Sequence, residues 1–212
     1  MMRTLPLIDE LEAALSSGTN TRRIEMLTRI TDLFIGGAPR YSEDQIGVFD
    51  DVMVRLTSTI EAKARARLAN RLAPIANAPA SVVHMLAFDD DIEVARPILR
   101  QSERLEEPAL LANANTKSQQ HLFAISQRRN LSEAVTEVLV ERGDRDVVHS
   151  VVKNAGARFS DAGFRMLVKR SVGDDDLATI VGMRGDIPRT HFLVLLEKAS
   201  SAVRTRLAVE NP

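Results

Sequence analysis

The 212-residue chain contains no cysteine. Disulfides and thiolate metal sites are thereby excluded, and a reducing compartment is permitted. There is no tryptophan, a single tyrosine, and aromatic residues make up only 4% of the chain. Few aromatics, with Ala, Leu, Val and Arg filling the sequence, suit helices better than strands. They also leave few rings on which nucleic-acid bases could stack. Neither sign of charge dominates, since 28 Lys and Arg face 29 Asp and Glu for a net charge of −1. A general basic field for nucleic acid or anionic lipid is therefore missing. No apolar run approaches the roughly 18–20 residues that span a bilayer. Asp9, Glu10 and Glu12 interrupt the N-terminal apolar residues, which fits neither a signal peptide nor a basic transit peptide. A soluble, cytoplasmic protein is the expectation.

What is present is a folding composition, 44% hydrophobic and 27% charged. Apolar residues recur at spacings of three and four, the mark of amphipathic helices. Ile8, Leu11 and Leu15 form one stripe; Ile24, Leu27, Ile30 and Phe34 form the next. A third comprises Phe49, Val52, Met53, Leu56 and Ile60, and opens on Ser42-Glu43-Asp44-Gln45, a capping-box pattern. A fourth helix starts near Glu61 with Ala64, Leu68 and Leu72 inward, and Pro74 should end or kink it. Beyond residue 78 the breaks become regular, and the pattern predicts about eight helices of roughly 10–12 residues, joined by loops short enough for neighbours to pack antiparallel. Pro79, Pro108 and Pro188 stand where first helical turns begin, and Ser132 and Ser160 look like N-caps.

Two internal alignments point to a repeat. Residues 86–102 align without gaps on 139–155, a shift of 139 − 86 = 53, matching Leu86 with Leu139, Asp91 with Asp144 and Val94 with Val147. Residues 124–141 align on 180–197, a shift of 180 − 124 = 56, matching Leu131 with Ile187, Val138 with Val194 and Glu141 with Glu197. One period holds two helix pairs. Such a pair cannot bury its apolar face alone, so its neighbours must supply the other side. The fold class expected is all-α, a HEAT-like α-solenoid of stacked antiparallel helix pairs. Residues 61–202 would be the repeats, 1–60 N-terminal helices that cap the stack or bind a partner, and 203–212 a tail, in one continuous solenoid.

The segments LANRLAPIANAP, VVHMLAFDDDIEVARPILRQS, HLFAISQRRNLSEAVTEVLVERGD, VVKNAGARFSDAGFRMLVKRS and DLATIVGMRGDIP carry a resemblance by their order. Residues 60–200 resemble the bacterial family catalogued as domain of unknown function two-three-three-six. Within them, LAFDDDIEVARPIL resembles the second half of a HEAT-type repeat, where an acidic turn caps a helix opening on a valine-basic pair. Here Ala95 separates Val94 from Arg96. The resemblance implies an α-solenoid, and it implies no reaction, ligand or catalytic residue.

Several constellations resemble chemistry but read better as punctuation. Arg142-Gly143-Asp144 and Arg184-Gly185-Asp186 spell an adhesion tripeptide. Each Gly can take the left-handed conformation that ends a helix, and each Asp can cap the next. Asp89-Asp90-Asp91 and Asp174-Asp175-Asp176 lack the alternating oxygen ligands of a calcium loop and suit helix starts. His84, His121, His149 and His191 fall in no metal-ligand spacing, so no metal and no cofactor is expected. His121, with Arg128, Arg129 and Asn130, is the polar cluster to inspect; His121 with Arg128 or Asp91 is the least poor catalytic combination.

The basic residues carry more. Lys63, Arg67 and Arg71 fall at i, i+4 and i+8 along one helix face. Arg96 and Arg100 repeat the spacing, and His149 and Lys153 occupy equivalent positions one repeat later. If the second helix of each pair lines the concave side, these side chains converge on a groove for an acidic protein segment, where charge complementarity speeds and orients docking. The function expected is therefore a non-catalytic interaction or scaffold module. Nucleic-acid binding is the alternative, followed by an enzyme or a small-ligand sensor.

Overall fold

The computed structural model describes residues 19–210, so the Ile8, Leu11 and Leu15 stripe lies outside the described residues. Thirteen helices follow one another there, with a 3-10 turn at Ala38–Arg40 and no strand among the described residues. The described residues form two compact units, divided between Ala109 and Leu110.

In the first unit the helices are α1 (Asn20–Gly37), α2 (Glu43–Thr57), α3 (Ala62–Leu72), α4 (Ala80–Ala87) and α5 (Ile92–Gln101). α6 (Glu107–Thr116) crosses the boundary between the units. The expected stripes are inward. Leu27, Ile30 and Phe34 of α1, Met53 and Leu56 of α2, and Ala64, Leu68 and Leu72 of α3 are all buried, while Ile24 is only half-buried. Ser42 and Gln45 form the capping box that opens α2. α3 stops at Leu72, just before Pro74, as the missing proline N–H requires. α1 packs on α2 and α3, α2 on α4, and α3 on α5.

The second unit holds α7 (Gln119–Ser126), α8 (Glu133–Arg142), α9 (Arg145–Lys153), α10 (Asp161–Arg170), α11 (Asp175–Gly182), α12 (Arg189–Lys198) and α13 (Ser201–Glu210). Each of these helices packs on the next but one: α7 on α9, α8 on α10, α9 on α11, α10 on α12 and α11 on α13. This stepping is the contact pattern of a helical solenoid, and the first unit shows it too. Helices of 8–10 residues are marginal in isolation, so packing is what holds them. Fully buried Val147, Val148 and Val151 on α9 show where that stability comes from, at about 1.5–3 kcal/mol for each large apolar side chain removed from water.

The repeat is visible in the caps. Asp91 and Asp144, 53 residues apart, are the N-caps of α5 and α9 and accept from Glu93 N and Val147 N. Ser118 and Asp174, 56 apart, begin α7 and α11; Ser132 and Pro188, also 56 apart, begin α8 and α12. Ser160 caps α10 through Gly163 N. Pro79 leaves α4 without a cap of its own, and the Asp50 carboxylate on α2 takes the Ser81 and Val82 N–H groups at 2.8 Å each.

A second device recurs at the opposite helix ends. The last four carbonyls of a helix lack intrahelical donors. Arg142, the final residue of α8, donates from Nη1 to the Ala114 carbonyl in the last turn of α6. Arg170, the final residue of α10, reaches the Val140 carbonyl in the last turn of α8 at 2.5 Å. Arg184, just past α11, donates to the Val152 and Asn154 carbonyls at 2.8 and 3.1 Å, at the end of α9. Cations at helix C-termini also favour the macrodipole.

Three expectations need correction. Beyond residue 78 the described residues form ten helices of 8–10 residues, rather than about eight of roughly 10–12. The glycines of the two Arg-Gly-Asp tripeptides are not left-handed: Gly143 has φ −66°, and Gly173 is the one glycine with positive φ among the described residues. Gly143 answers a packing need instead, because a Cβ there would lie 2.3 Å from the Leu139 carbonyl oxygen and 2.5 Å from Val147 Cγ1. Asp144 does cap α9, whereas Asp186 pairs with Arg184 and Pro188 begins α12. Finally, residues 201–210, expected to fall mostly in a tail, form α13 because Val203 and Leu207 bury themselves four residues apart. Gly182 on α11 admits Leu207, whose Cδ1 would lie 2.6 Å from a Cβ there.

Candidate functional site

Between α7, α9, α11 and α13 of the second unit lies an open cleft of about 970 Å3. α9 supplies one wall through Arg145, His149 and Lys153, spaced i, i+4 and i+8 so that all three share a helix face. The turn after α7 contributes Arg128 and Arg129, α7 itself Phe123 and Ser126, and α13 Arg206. From α11 come Asp176, Thr179 and Ile180, and from the residue that caps its C-terminus Met183. Arg128, Arg129, Arg145, Lys153 and Arg206 give the lining five permanent cations, against the carboxylates of Asp146 and Asp176. Phe123 and Met183 add exposed apolar surface, 39% and 42% accessible.

The α9 wall is held in place at its N-terminal end. Arg145 Nε and Nη2 approach the two Asp174 oxygens at 2.8 and 3.2 Å, and Nη2 also reaches Asp176 Oδ2 at 3.1 Å. Bidentate guanidinium–carboxylate geometry fixes orientation as well as charge. His149 Nε2 lies 3.2 Å from Asp174 Oδ2, and Asp174 also accepts from Leu177 N as the cap of α11. These contacts hold the Asp174 carboxyl well below the usual carboxylate range; the Arg145 hydrogen bond is the largest cause, opposed by burial. The same pairing raises the Arg145 guanidinium. Arg145 and Asp174 thus largely satisfy each other. Arg129, Lys153 and Arg206 form no ion pair with any of the described residues and remain exposed. Ser126 Oγ donates to Ser150 Oγ at 2.7 Å, and Asn154 Nδ2 holds the Ser126 and Arg128 carbonyls, which fixes the turn bearing the two arginines.

The residues singled out from sequence separate into three groups. His149 and Lys153 meet Arg128 and Arg129 in this cleft, a juxtaposition that spacing along the chain did not signal. Asn130 is exposed beside them and does not line it. His121 does not line the cleft: it is 1% exposed, its Nδ1 2.8 Å from Ser118 Oγ at the start of α7. Asp91 is in the first unit, where it caps α5. Lys63, Arg67, Arg71, Arg96 and Arg100 belong to α3 and α5 of the first unit. Arg67 and Arg71 flank a slot of about 50 Å3 with Ile24 and Leu27. Arg71 pairs with Asp32 at 2.5 Å and Arg96 with Glu93 at 2.8 Å. Arg145 and Arg206 were missed; Arg145 stands four residues before His149, a spacing readable in the sequence.

Among the described residues no group of three His, Asp or Glu side chains is placed to hold a metal ion. No described helix is long and apolar enough to cross a membrane.

A family model described as an uncharacterised protein conserved in bacteria, DUF2336, matches residues 94–212. The chain belongs to that family. No curated protein and no solved structure matches it.

Proposed function

We propose that this member of an uncharacterised bacterial family is a non-catalytic interaction module, whose second-unit cleft holds an acidic segment of a protein partner. The observation that carries the reading is the set of exposed, unpaired cations in one concave place, Arg129, Lys153 and Arg206, beside Arg128 and apolar Phe123 and Met183. Concavity excludes part of the water around a bound segment, and cations without internal partners gain more from an incoming carboxylate than satisfied ones do. Arg145 serves instead as a fixed wall, since its charge is answered by Asp174 and Asp176. A cytoplasmic setting is part of the same proposal.

The test is the double charge reversal Arg129→Glu with Lys153→Glu, both at exposed positions that leave the core alone. Fluorescence anisotropy with a labelled peptide of Glu and Ser should show binding to the wild type that weakens with salt. The double variant, with an unchanged helical circular dichroism spectrum, should not bind. Undiminished binding by the variant refutes the reading. A single-stranded oligonucleotide that binds more tightly than the peptide would reassign the cleft to nucleic acid.

A further inference from the structure

We infer that the acidic segment carries an apolar side chain as an anchor, seated in a second hollow that adjoins the cleft at Met183; this rests on the reading just given. The second hollow is about 510 Å3 and is lined by Val152, Ala155, Ile180, Met183 and Gly185 together with charged residues at its edge. Lys153, Ile180 and Met183 line both hollows, so the two adjoin along the α9 and α11 faces.

Their chemistry differs. In the first, the cations outnumber the carboxylates and several lack partners. In the second, the edge charges are already committed. Arg184 Nε and Nη2 hold the Asp186 carboxylate at 2.7 and 2.8 Å. Its remaining donors go to the Val152, Asn154 and Ala157 carbonyls, and its guanidinium lies 4.7 Å from the centre of the Phe159 ring. A ligand entering the second hollow therefore meets an apolar wall and no available counter-charge except Lys153 at the junction. Met183, unbranched and partly exposed, can adapt to the shape that enters. A purely acidic segment would leave this wall in water. One large apolar residue beside the acidic stretch would cover it, giving a bipartite motif in which the acids select the cleft and the anchor fixes the register.

The experiment uses the full chain and three labelled peptides, one of Glu and Ser alone and two that differ from it by a Phe at one end or at the other. With one of the two placements the Phe peptide should bind at least about tenfold more tightly, the usual effect of burying one large apolar side chain. Ala155→Gln and Gly185→Gln, at positions that line the second hollow but not the first and that gain no charge, should each reduce that peptide to the affinity of the acidic one while leaving the acidic peptide's binding within about twofold. Ala155 and Gly185 are both exposed, and a Cβ at Gly185 meets nothing within 4 Å, so neither substitution disturbs the core. Equal affinities for all peptides on the wild type, or an advantage untouched by either variant, overturn the anchor while leaving the cleft reading in place. Absence of binding by every peptide overturns the cleft reading and the anchor with it.

Discussion

Arg145 and Asp174, 29 residues apart and on successive members of one stack, hold each other through two hydrogen bonds of 2.8 and 3.2 Å. The same carboxylate caps α11 and meets His149. One side chain thus joins a helix start, the α9 wall and the rim of the cleft, and its charge should be visible in stability.

Asp174→Asn keeps a side chain able to cap but removes the charge. At pH 7 it should cost about 1–2 kcal/mol, the usual scale of a charge-assisted hydrogen bond or a lost cap. The Asp174 carboxyl lies below its unfolded value, so its contribution is complete above the ordinary carboxylate range and fades as acid protonates the folded form. Urea midpoints of wild type and variant should therefore converge between about pH 5 and pH 2. A gap constant with pH would show that the charge does not contribute.

Arg184→Met should destabilise by about 2–3 kcal/mol, because three carbonyls and the Asp186 carboxylate lose their donor. Arg96→Ala removes only a surface pair with Glu93 and should stay within about 0.5 kcal/mol. Chemical denaturation of both variants checks the contrast; similar costs would mean that the recurrent arginine contacts at helix ends add nothing specific.

Two glycines should respond oppositely to alanine. Gly143→Ala places a methyl group against the Leu139 carbonyl and Val147, and should cost about 1–3 kcal/mol. Gly47, inside α2 with nothing within 4 Å of an added Cβ, should gain about 0.5–1 kcal/mol as alanine. Thermal melting of the two variants decides it.

Such contrasts mark how far the sequence could be read. Helix identity, the Ser42–Gln45 box and the 53-residue repeat followed from spacing, because caps and apolar stripes are local. The number of helices did not: α4, α7 and α11 have only eight residues each, too few for a period to separate them from their neighbours. Gly143 was misread because the same residue serves left-handed turns and close packing. His121 was grouped with Arg128 on polarity, although its register with Ile125, four residues on, already pointed inward. The cleft escaped because α7, α9 and α11 meet across about 25 residues, and periodicity orders one helix face without saying which faces will oppose it. Arg206 escaped because its helix was taken for a tail.

The most direct measurement is a two-dimensional amide NMR titration of the full chain with the Phe-bearing acidic peptide. Shifts concentrated at Arg129, Lys153, Ala155 and Met183, absent from Arg67, Arg71, Arg96 and Arg100, are the predicted result. Shifts confined to α3 and α5, or none at saturating peptide, would contradict it.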